Sequence, residues 1–533
     1  MKGLLVTLTP KGAFDHLEDL GAAYVAGYLN HNGVKCRFLQ LYDELFDAAR
    51  CANSRFDFVL FTLYNVTKKK VYEACEVIRE NAPDTKIIVG GAEVTVNRKL
   101  ILEECSCIDY AVKGEGEITT YELVRAIEKN EKVDEIPGVL YRKDGEIIEN
   151  NDRELVADIT SLPWPDRAYL KDKKLTVASI TTSRGCKGNC AFCMTHDIWP
   201  IWRGREVFDV IDEIKYLYHN YEVDCINFTD ASFEDPDIHC ERMNQILDGI
   251  LSLDFKIYFS VDFRAEFISK CTDEILQKLI AAGLSRVVVG IEAANEYDLR
   301  LYGKRATLQQ NYEIADFFMK AHIPFYPGFI NFNPYSSVKT IEENLKFFER
   351  FKLGGRITLF ATELSVFKGS RIYERVQKDG LLDSEDGAWH YKYPGMKKLL
   401  GFVQDEINKL NRNGIHVIQE IDSNLEKADV LSYVLKQRIT YLNEKDKESI
   451  EEIFDEFSKN FVAIREKLNV LCIQWYKKLL EYTEKENYEG YEKVTQKFQI
   501  EEIIIQSAQK LRKNMLHLFK QLAVKGYMIN VKF

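Results

Sequence analysis

Short apolar runs alternate with amphipathic stretches of helical length in two separate parts of this chain, and that alternation constrains the fold class before any motif is consulted. In residues 1–150 the runs are GLLVTL (3–8), KCRFLQL (35–41), FDFVLFTL (56–63), KIIVGG (86–91) and DYAVKG (109–114). Between or after them stand LGAAYVAGYLNHNG (20–33), VYEACEVIREN (71–81) and EITTYELVRAIEKN (117–130). Apolar runs of this length suit strands covered on both faces, and the helical segments suit crossovers between parallel strands. The expectation for 1–150 is a doubly wound parallel sheet. Gly90, Gly91 and Gly114 stand where strands should end. They read either as turn glycines or as contacts to a ligand in the crevice at the carboxyl ends of the strands. GVLYRKDGEIIEN (138–150) carries the hairpin signal Asp144-Gly145, which suits a two-residue turn.

Residues 151–174 read as a linker, because the prolines flanking Trp164 cannot continue a helix or a central strand. From 175 to 395 the alternation resumes in longer units. Six strand candidates occur, LTVASITTS (175–183), CINFTD (225–230), FKIYFSVDF (255–263), RVVVGIE (286–292), PFYPGFINF (324–332) and RITLFATEL (356–364). They imply a partial (β/α)6 barrel with its site at the carboxyl ends of the strands. Residues 396–533 lack proline and show helical periodicity over 449–482 and 500–524. They are predicted to form a helical region packed on itself and on the barrel, closing over the barrel mouth.

The chain of 533 residues is long enough for two or three cores, and its net charge of -11 argues against a general nucleic-acid binder. No run approaches the ~20 apolar residues of a membrane span, and the N-terminus has a charge and a proline where a signal peptide needs an apolar run. A cytoplasmic protein is expected. In a reducing compartment its 12 cysteines do not read as a disulfide framework.

Three of those cysteines, Cys186, Cys190 and Cys193, fall within eight positions of TSRGCKGNCAFCMTH (182–196). Structural zinc usually recruits two cysteine pairs, and no second pair follows, so a fourth ligand would have to be His196 or an isolated residue. Three thiolates on a loop eased by Gly185 and Gly188 suit three irons of a 4Fe-4S cube, with the fourth iron open to a small ligand.

This loop after the first barrel strand resembles that of the radical S-adenosylmethionine (SAM) enzymes. The resemblance includes Phe192 just before the last cysteine, INFTDASF (226–233) with Asp230, VDFRAEF (261–267) with Arg264, and VVVGIEAANEYDLRLYGK (287–304) with Glu292. It implies that Phe192 lies near adenine, that Asp230 faces SAM, that Arg264 pairs with the SAM carboxylate and that Glu292 meets its amino group or ribose. The implied chemistry is reductive cleavage of SAM to a 5′-deoxyadenosyl radical, shielded from solvent by the barrel. NFNPYSS (331–337) departs from the family's turn, so SAM contacts are not carried over to Asn331 or Asn333. Tyr326, Phe329, Phe332 and Tyr335 read as core packing, with a pocket lining as the alternative, and His196, Asp197 and Trp202 follow the cysteines closely enough to meet cofactor or substrate.

Residues 17–43, 86–95 and 109–124, the last containing GEGE (114–117), resemble the cobalamin-binding domain fused to one branch of that family. DHLEDLG (15–21) has the letters of the cobalt-ligating histidine motif in the wrong spacing, so His16 reads as an ordinary helix-start residue. The resemblance then places Leu63, Tyr64, Asn65 and Val66 under the cobalt and Gly90, Gly91, Ala92 and Glu93, with Gly114 and Glu115, near the corrin. The implied activity is methyl transfer to an unactivated carbon of a small molecule or peptide. Cyclisation or rearrangement is the alternative within enzymes, and a cobalamin sensor is the alternative outside them. The implied cofactors are a 4Fe-4S cluster, SAM and cobalamin, with a flavodoxin or ferredoxin as electron donor.

Overall fold

The computed structural model describes residues 1–9, 18–42, 45–173, 177–237, 239–411, 417–439 and 444–525; His16 lies outside them. The first sheet contains β1 (Lys2–Thr9), β2 (Lys35–Tyr42), β3 (Phe58–Thr62), β4 (Lys86–Gly90), β5 (Tyr110–Val112), β6 (Val139–Lys143) and β7 (Glu146–Glu149), in the order β2-β1-β3-β4-β5-β6-β7. Its first five strands are parallel, and β6 and β7 add an antiparallel edge. Leu60, Phe61, Ile88 and Val89 are buried because helices cover both faces. Asp144 and Gly145 take φ of 52° and 86°, as a two-residue hairpin turn requires.

The second sheet runs β8 (Val177–Ile180), β11 (Cys225–Phe228), β12 (Tyr258–Arg264), β13 (Leu284–Glu292) and β14 (Phe325–Phe329), all parallel and neighbours in that order. The short ribbon of β9 (Ser183–Arg184) and β10 (Arg203–Gly204) brackets the cysteine loop. Burial alternates along β12 and β13. Phe259, Val261, Phe263, Val287 and Val289 pack outward into the core, and Ser260, Asp262, Arg264, Arg286, Val288, Gly290 and Glu292 point the other way, into the lumen.

The sixth strand expected over 356–364 is reduced to a single parallel bridge, Phe332 with Glu363, while Ile357–Ala361 wind as a 3-10 turn. The cause is Asp422, whose carboxylate accepts the amides of Ile357 and Thr358 at 3.0 Å each. A ladder would need those same donors.

The C-terminal helices include Val417–Ile439, Glu444–Glu484 and Ile500–Val524. Val430 and Val434 pack against Val177, Cys225 and Tyr258, the first residues of three barrel strands. The helix Val417–Ile439 therefore closes the foot of the barrel rather than its mouth, because its buried stripe matches the apolar amino ends of the strands. The segment 152–167 lies against the helix Leu20–His31, and Asp166 donates its amide to the carbonyl of Ala23 at 2.9 Å.

Candidate functional site at the junction of the two sheets

The cysteine loop leaves β9 and returns at β10, and three neighbouring segments pin it. Ala191 donates its amide to the carbonyl of Tyr302 at 2.7 Å, Ile372 donates to the carbonyl of Ala191 at 3.0 Å, and Arg371 holds Asn189. Phe192 packs edge-on against Tyr302, with centroids 5.6 Å apart. The thiols of Cys186, Cys190 and Cys193 are all partly exposed. Burial pushes the Cys186 thiol up, opposed by the Gly188 amide at 3.2 Å and the Arg264 guanidinium at 3.5 Å. Burial pushes Cys190 to about 11, opposed by Lys304. Cys193 lies 3.1 Å from the Thr195 hydroxyl. Cys186 and Cys190 thus each have a donor or cation that favours the thiolate, the form that binds iron, and the Cys193 sulfur accepts the Thr195 amide at 3.5 Å. Among the described residues no three Cys, His, Asp or Glu side chains converge as a single-ion site, whereas a cube needs each thiolate only at its own iron. His196 is turned back onto the carbonyl of Gly188.

Arg264 holds Asp235 through two bonds of 2.8 and 2.7 Å, and Asp235 also accepts the amide of Lys187 inside the loop at 2.8 Å. Arg264 thus ties the end of β12 to the loop beside Cys186. The Asp230 carboxylate accepts from the amide and hydroxyl of Thr182 at 3.0 and 2.6 Å and from the Ser183 hydroxyl at 2.5 Å, bracing the strand that leads into the cysteines. Glu292 ends β13 at a register irregularity with φ of 62°, a re-aiming of the side chain that such bulges produce. It lies 3.8 Å from Lys304, and burial pushes its carboxyl up against the pull of that cation. Asn331 and Asn333 are fully buried, bonded to Phe360, Asn344, Asp298 and Tyr302. Phe329, Phe332 and Tyr335 are core, and only Tyr326 of that group lies on the lumen face.

A cavity of about 410 Å³ opens where the first sheet meets the barrel. Tyr64, Gly90, Gly91, Ala92, Gly114 and Glu115 line one side and Thr181, Arg184, Gly185, Trp199 and Thr229 the other. Gly91 and Gly114 take φ of 102° and 74°, and a Cβ at Gly114 would meet nothing within 4 Å. Glycine backbone at the strand ends thus leaves a flat wall for a large planar ligand. Leu63, Asn65, Val66 and Glu93 do not line the cavity. Leu63 is in the core, Val66 is 77% exposed, and Glu93 pairs with Lys68 at 3.4 Å. Tyr64 donates its hydroxyl to Asp19 at 3.0 Å, and Thr7 donates to the same carboxylate at 2.7 Å. Asp19, on the cavity wall, carries no sequence signal beyond that of an N-cap.

Buried ion pairs join the two sides. Arg184 spans Glu115 at 2.8 Å and Glu117 at 2.5 Å, and Arg203 grips Glu115 at 3.0 and 2.9 Å. Burial would raise the Glu115 carboxyl, but Arg203 and Arg184 outweigh it and hold it below the ordinary range. Beside them Arg167 bridges Glu18 and Glu213, and Arg205 binds Glu213 at 2.6 Å. The GEGE stretch therefore locks onto the residues that flank the cysteine loop. Sequence reasoning could not find Arg184 and Arg203, because an arginine's partner across a domain junction leaves no local pattern.

A parallel sheet with a glycine-walled crevice, facing a partial barrel whose first strand leads into a three-thiol loop, defines a two-domain radical-enzyme architecture. Residues 13–124 match the family described as B12 binding domain, and residues 180–348 match the radical SAM superfamily. The chain belongs to the radical SAM enzymes that carry a B12-binding domain. It is 26% identical over 362 residues to an uncharacterized methyltransferase of Pyrococcus horikoshii, covering 67% of this chain and 77% of that one. It is 26% identical over 342 residues to the anaerobic magnesium-protoporphyrin IX monomethyl ester cyclase of Rubrivivax gelatinosus, covering 61% of this chain and 60% of that one. The structure of the cobalamin-dependent SAM radical enzyme OxsB, with aqua-cobalamin and SAM bound, shares the fold at a TM-score of 0.68 and 18% identity, covering 100% of this chain and 82% of that one. No described helix is long and apolar enough to cross a membrane.

Proposed function

We propose that this chain transfers a methyl group to an unactivated carbon of a small metabolite or peptide, with Cys186, Cys190 and Cys193 holding a 4Fe-4S cluster and the glycine-walled cavity holding cobalamin. When bound, the cluster with SAM supplies a 5′-deoxyadenosyl radical and cobalamin supplies the methyl group. The observation that carries this reading is the shared cavity, since Gly185, next to the first cysteine, lines the same space as Gly90, Gly91 and Gly114. Two reactive groups placed on one cavity can act on one substrate in turn.

The chain's own residues supply position and shielding. Arg264 and Asp235 fix the loop, and Phe192 with Tyr302 walls its flank. Glu292 and Lys304 present a carboxyl and a cation at the mouth, a pair suited to the amino-acid end of SAM. Tyr64 covers the cavity beside the third strand and offers cobalt no imidazole. Asp262 gives the lumen a carboxyl for a substrate bearing hydrogen-bond donors. A flavodoxin or ferredoxin is the electron donor in this reading, in the cytoplasm, where free cysteines stay reduced.

Cyclisation is the second reading, favoured by the likeness to the Rubrivivax gelatinosus cyclase. Anaerobic reconstitution followed by product analysis separates the two. Methyl transfer releases S-adenosylhomocysteine together with 5′-deoxyadenosine and methionine, and cyclisation yields 5′-deoxyadenosine and methionine without S-adenosylhomocysteine. A triple Cys186→Ala, Cys190→Ala, Cys193→Ala variant is expected to bind no cluster and cleave no SAM; a cluster with intact SAM cleavage in that variant refutes the cysteine assignment.

A further inference from the structure

A second cavity, of about 300 Å³, lies at the opposite end of the barrel from the cysteines, between the amino end of β14, the segment 351–356 and the helices Val417–Ile439 and Glu444–Glu484. Its polar groups are mostly donors. Arg356 is only 7% exposed, and its Nη1 has no hydrogen-bond partner among the described residues. The same holds for Nε of Arg465 and Oγ of Ser432, both on the cavity wall. One carboxylate, Asp429, meets Arg465 at 2.7 Å and Arg356 at 3.9 Å, and Lys436 adds a further cation. On the cavity wall two guanidiniums and two ammoniums, of which Lys352 is held by Glu466, thus face a single carboxylate. Buried donors without acceptors are costly, and the shortfall here is both an acceptor and a negative charge. The rest of the wall is mixed, with His322, Lys352, Tyr433 and Ser458 beside an apolar part that includes Phe351, Phe454 and Phe461.

We propose that this cavity binds an organic carboxylate with an apolar body, its carboxylate on Arg356, Arg465 and Ser432 and its body among the phenylalanine rings. A guanidinium matches a carboxylate in geometry as well as charge, and the rings leave little for a bare hydrated anion to contact. The site stands one aromatic ring from the lumen, for Tyr326 lies 4.1 Å from the Arg356 guanidinium and 5.5 Å from that of Arg286. It is separate from the cofactor cavity, and its test does not depend on the proposed reaction.

Isothermal titration of the full chain with benzoate, octanoate and inorganic phosphate tests it. One equivalent of benzoate or octanoate is expected to bind saturably, phosphate is not, and Arg356→Gln weakens the carboxylate roughly tenfold to a hundredfold. If Arg356→Gln does not fold, Val462→Trp replaces it; Val462 is on the cavity wall and 39% exposed, so an indole there fills the space from the solvent side. Absence of saturable carboxylate binding, phosphate binding as tight as that of the organic acids, or binding unchanged by either substitution overturns the proposal.

Discussion

Asp262 accepts no hydrogen bond through its carboxylate among the described residues, yet it stands in the barrel lumen two positions before Arg264 on the same strand face. Burial pushes its carboxyl up to about 6, opposed by Arg286. A raised carboxyl pKa means that ionisation is disfavoured in the folded chain, so stability falls as pH rises from the ordinary 3.8 to about 6 and stays lower above that. Because the side chain stays open to solvent on the lumen side, the effect is screened, and Asp262→Asn is expected to melt slightly higher than the parent at pH 7 and to match it near pH 4, read by thermal unfolding across that range. Equal melting differences at both pH values would show that the ionisation of the carboxyl is not disfavoured by the fold. Residue roles were only partly legible in the sequence. The cysteines are picked out by spacing and Asp230 and Arg264 by motif, while their protein partners Thr182, Ser183 and Asp235 are seen only in the structure. Motif position says where a side chain begins and not which neighbour it meets.

Elements followed the pattern of apolar residues wherever both faces of a strand are covered. The five strands at 2–9, 35–42, 58–62, 86–90 and 110–112 fall within or close to the apolar runs that predict them. Segment 356–364 is as apolar as the others but lost its ladder to Asp422, which lies 65 residues from Ile357. Asp422→Ala is expected to cost about 2–4 kcal/mol in chemical denaturation, since two buried amides lose their acceptor. The helix Leu20–His31 depends on close approach rather than on propensity. A Cβ at Gly27 would stand 2.6 Å from the carbonyl of Trp164. Gly27→Val should therefore destabilise the chain by about 1–3 kcal/mol and free the linker for proteolysis, both measurable on the purified protein.

For the whole molecule, the decisive feature is the junction of buried ion pairs. With the Glu115 carboxyl held below its ordinary 4.5, its contribution is complete above that pH and is lost as pH falls through the depressed value. Limited proteolysis across the linker is expected to accelerate below pH 4.5 in the parent. Glu115→Gln should cut fast at neutral pH, because Arg203 is then left buried against a neutral amide and Arg184 keeps only Glu117. Removing the helices after Leu410 would bare the foot of the barrel, where Tyr258 and Cys225 meet Val430 and Val434. Such a truncation is expected to aggregate on expression, as judged by size-exclusion chromatography.

By itself the sequence determined the local and periodic features: two runs of alternating strands and helices, a helical tail, and three thiols at fixed spacing after a barrel strand. These follow from burial and chain geometry over a few residues, so they leave a pattern. Only the tertiary structure decided that Arg184 and Arg203 clasp the GEGE carboxylates, that Asp422 dissolves a sixth strand, and that the tail seals the foot of the barrel instead of its mouth. Those outcomes depend on which charged or apolar groups meet across long stretches of chain, and charge pairing at such separations has no period to read.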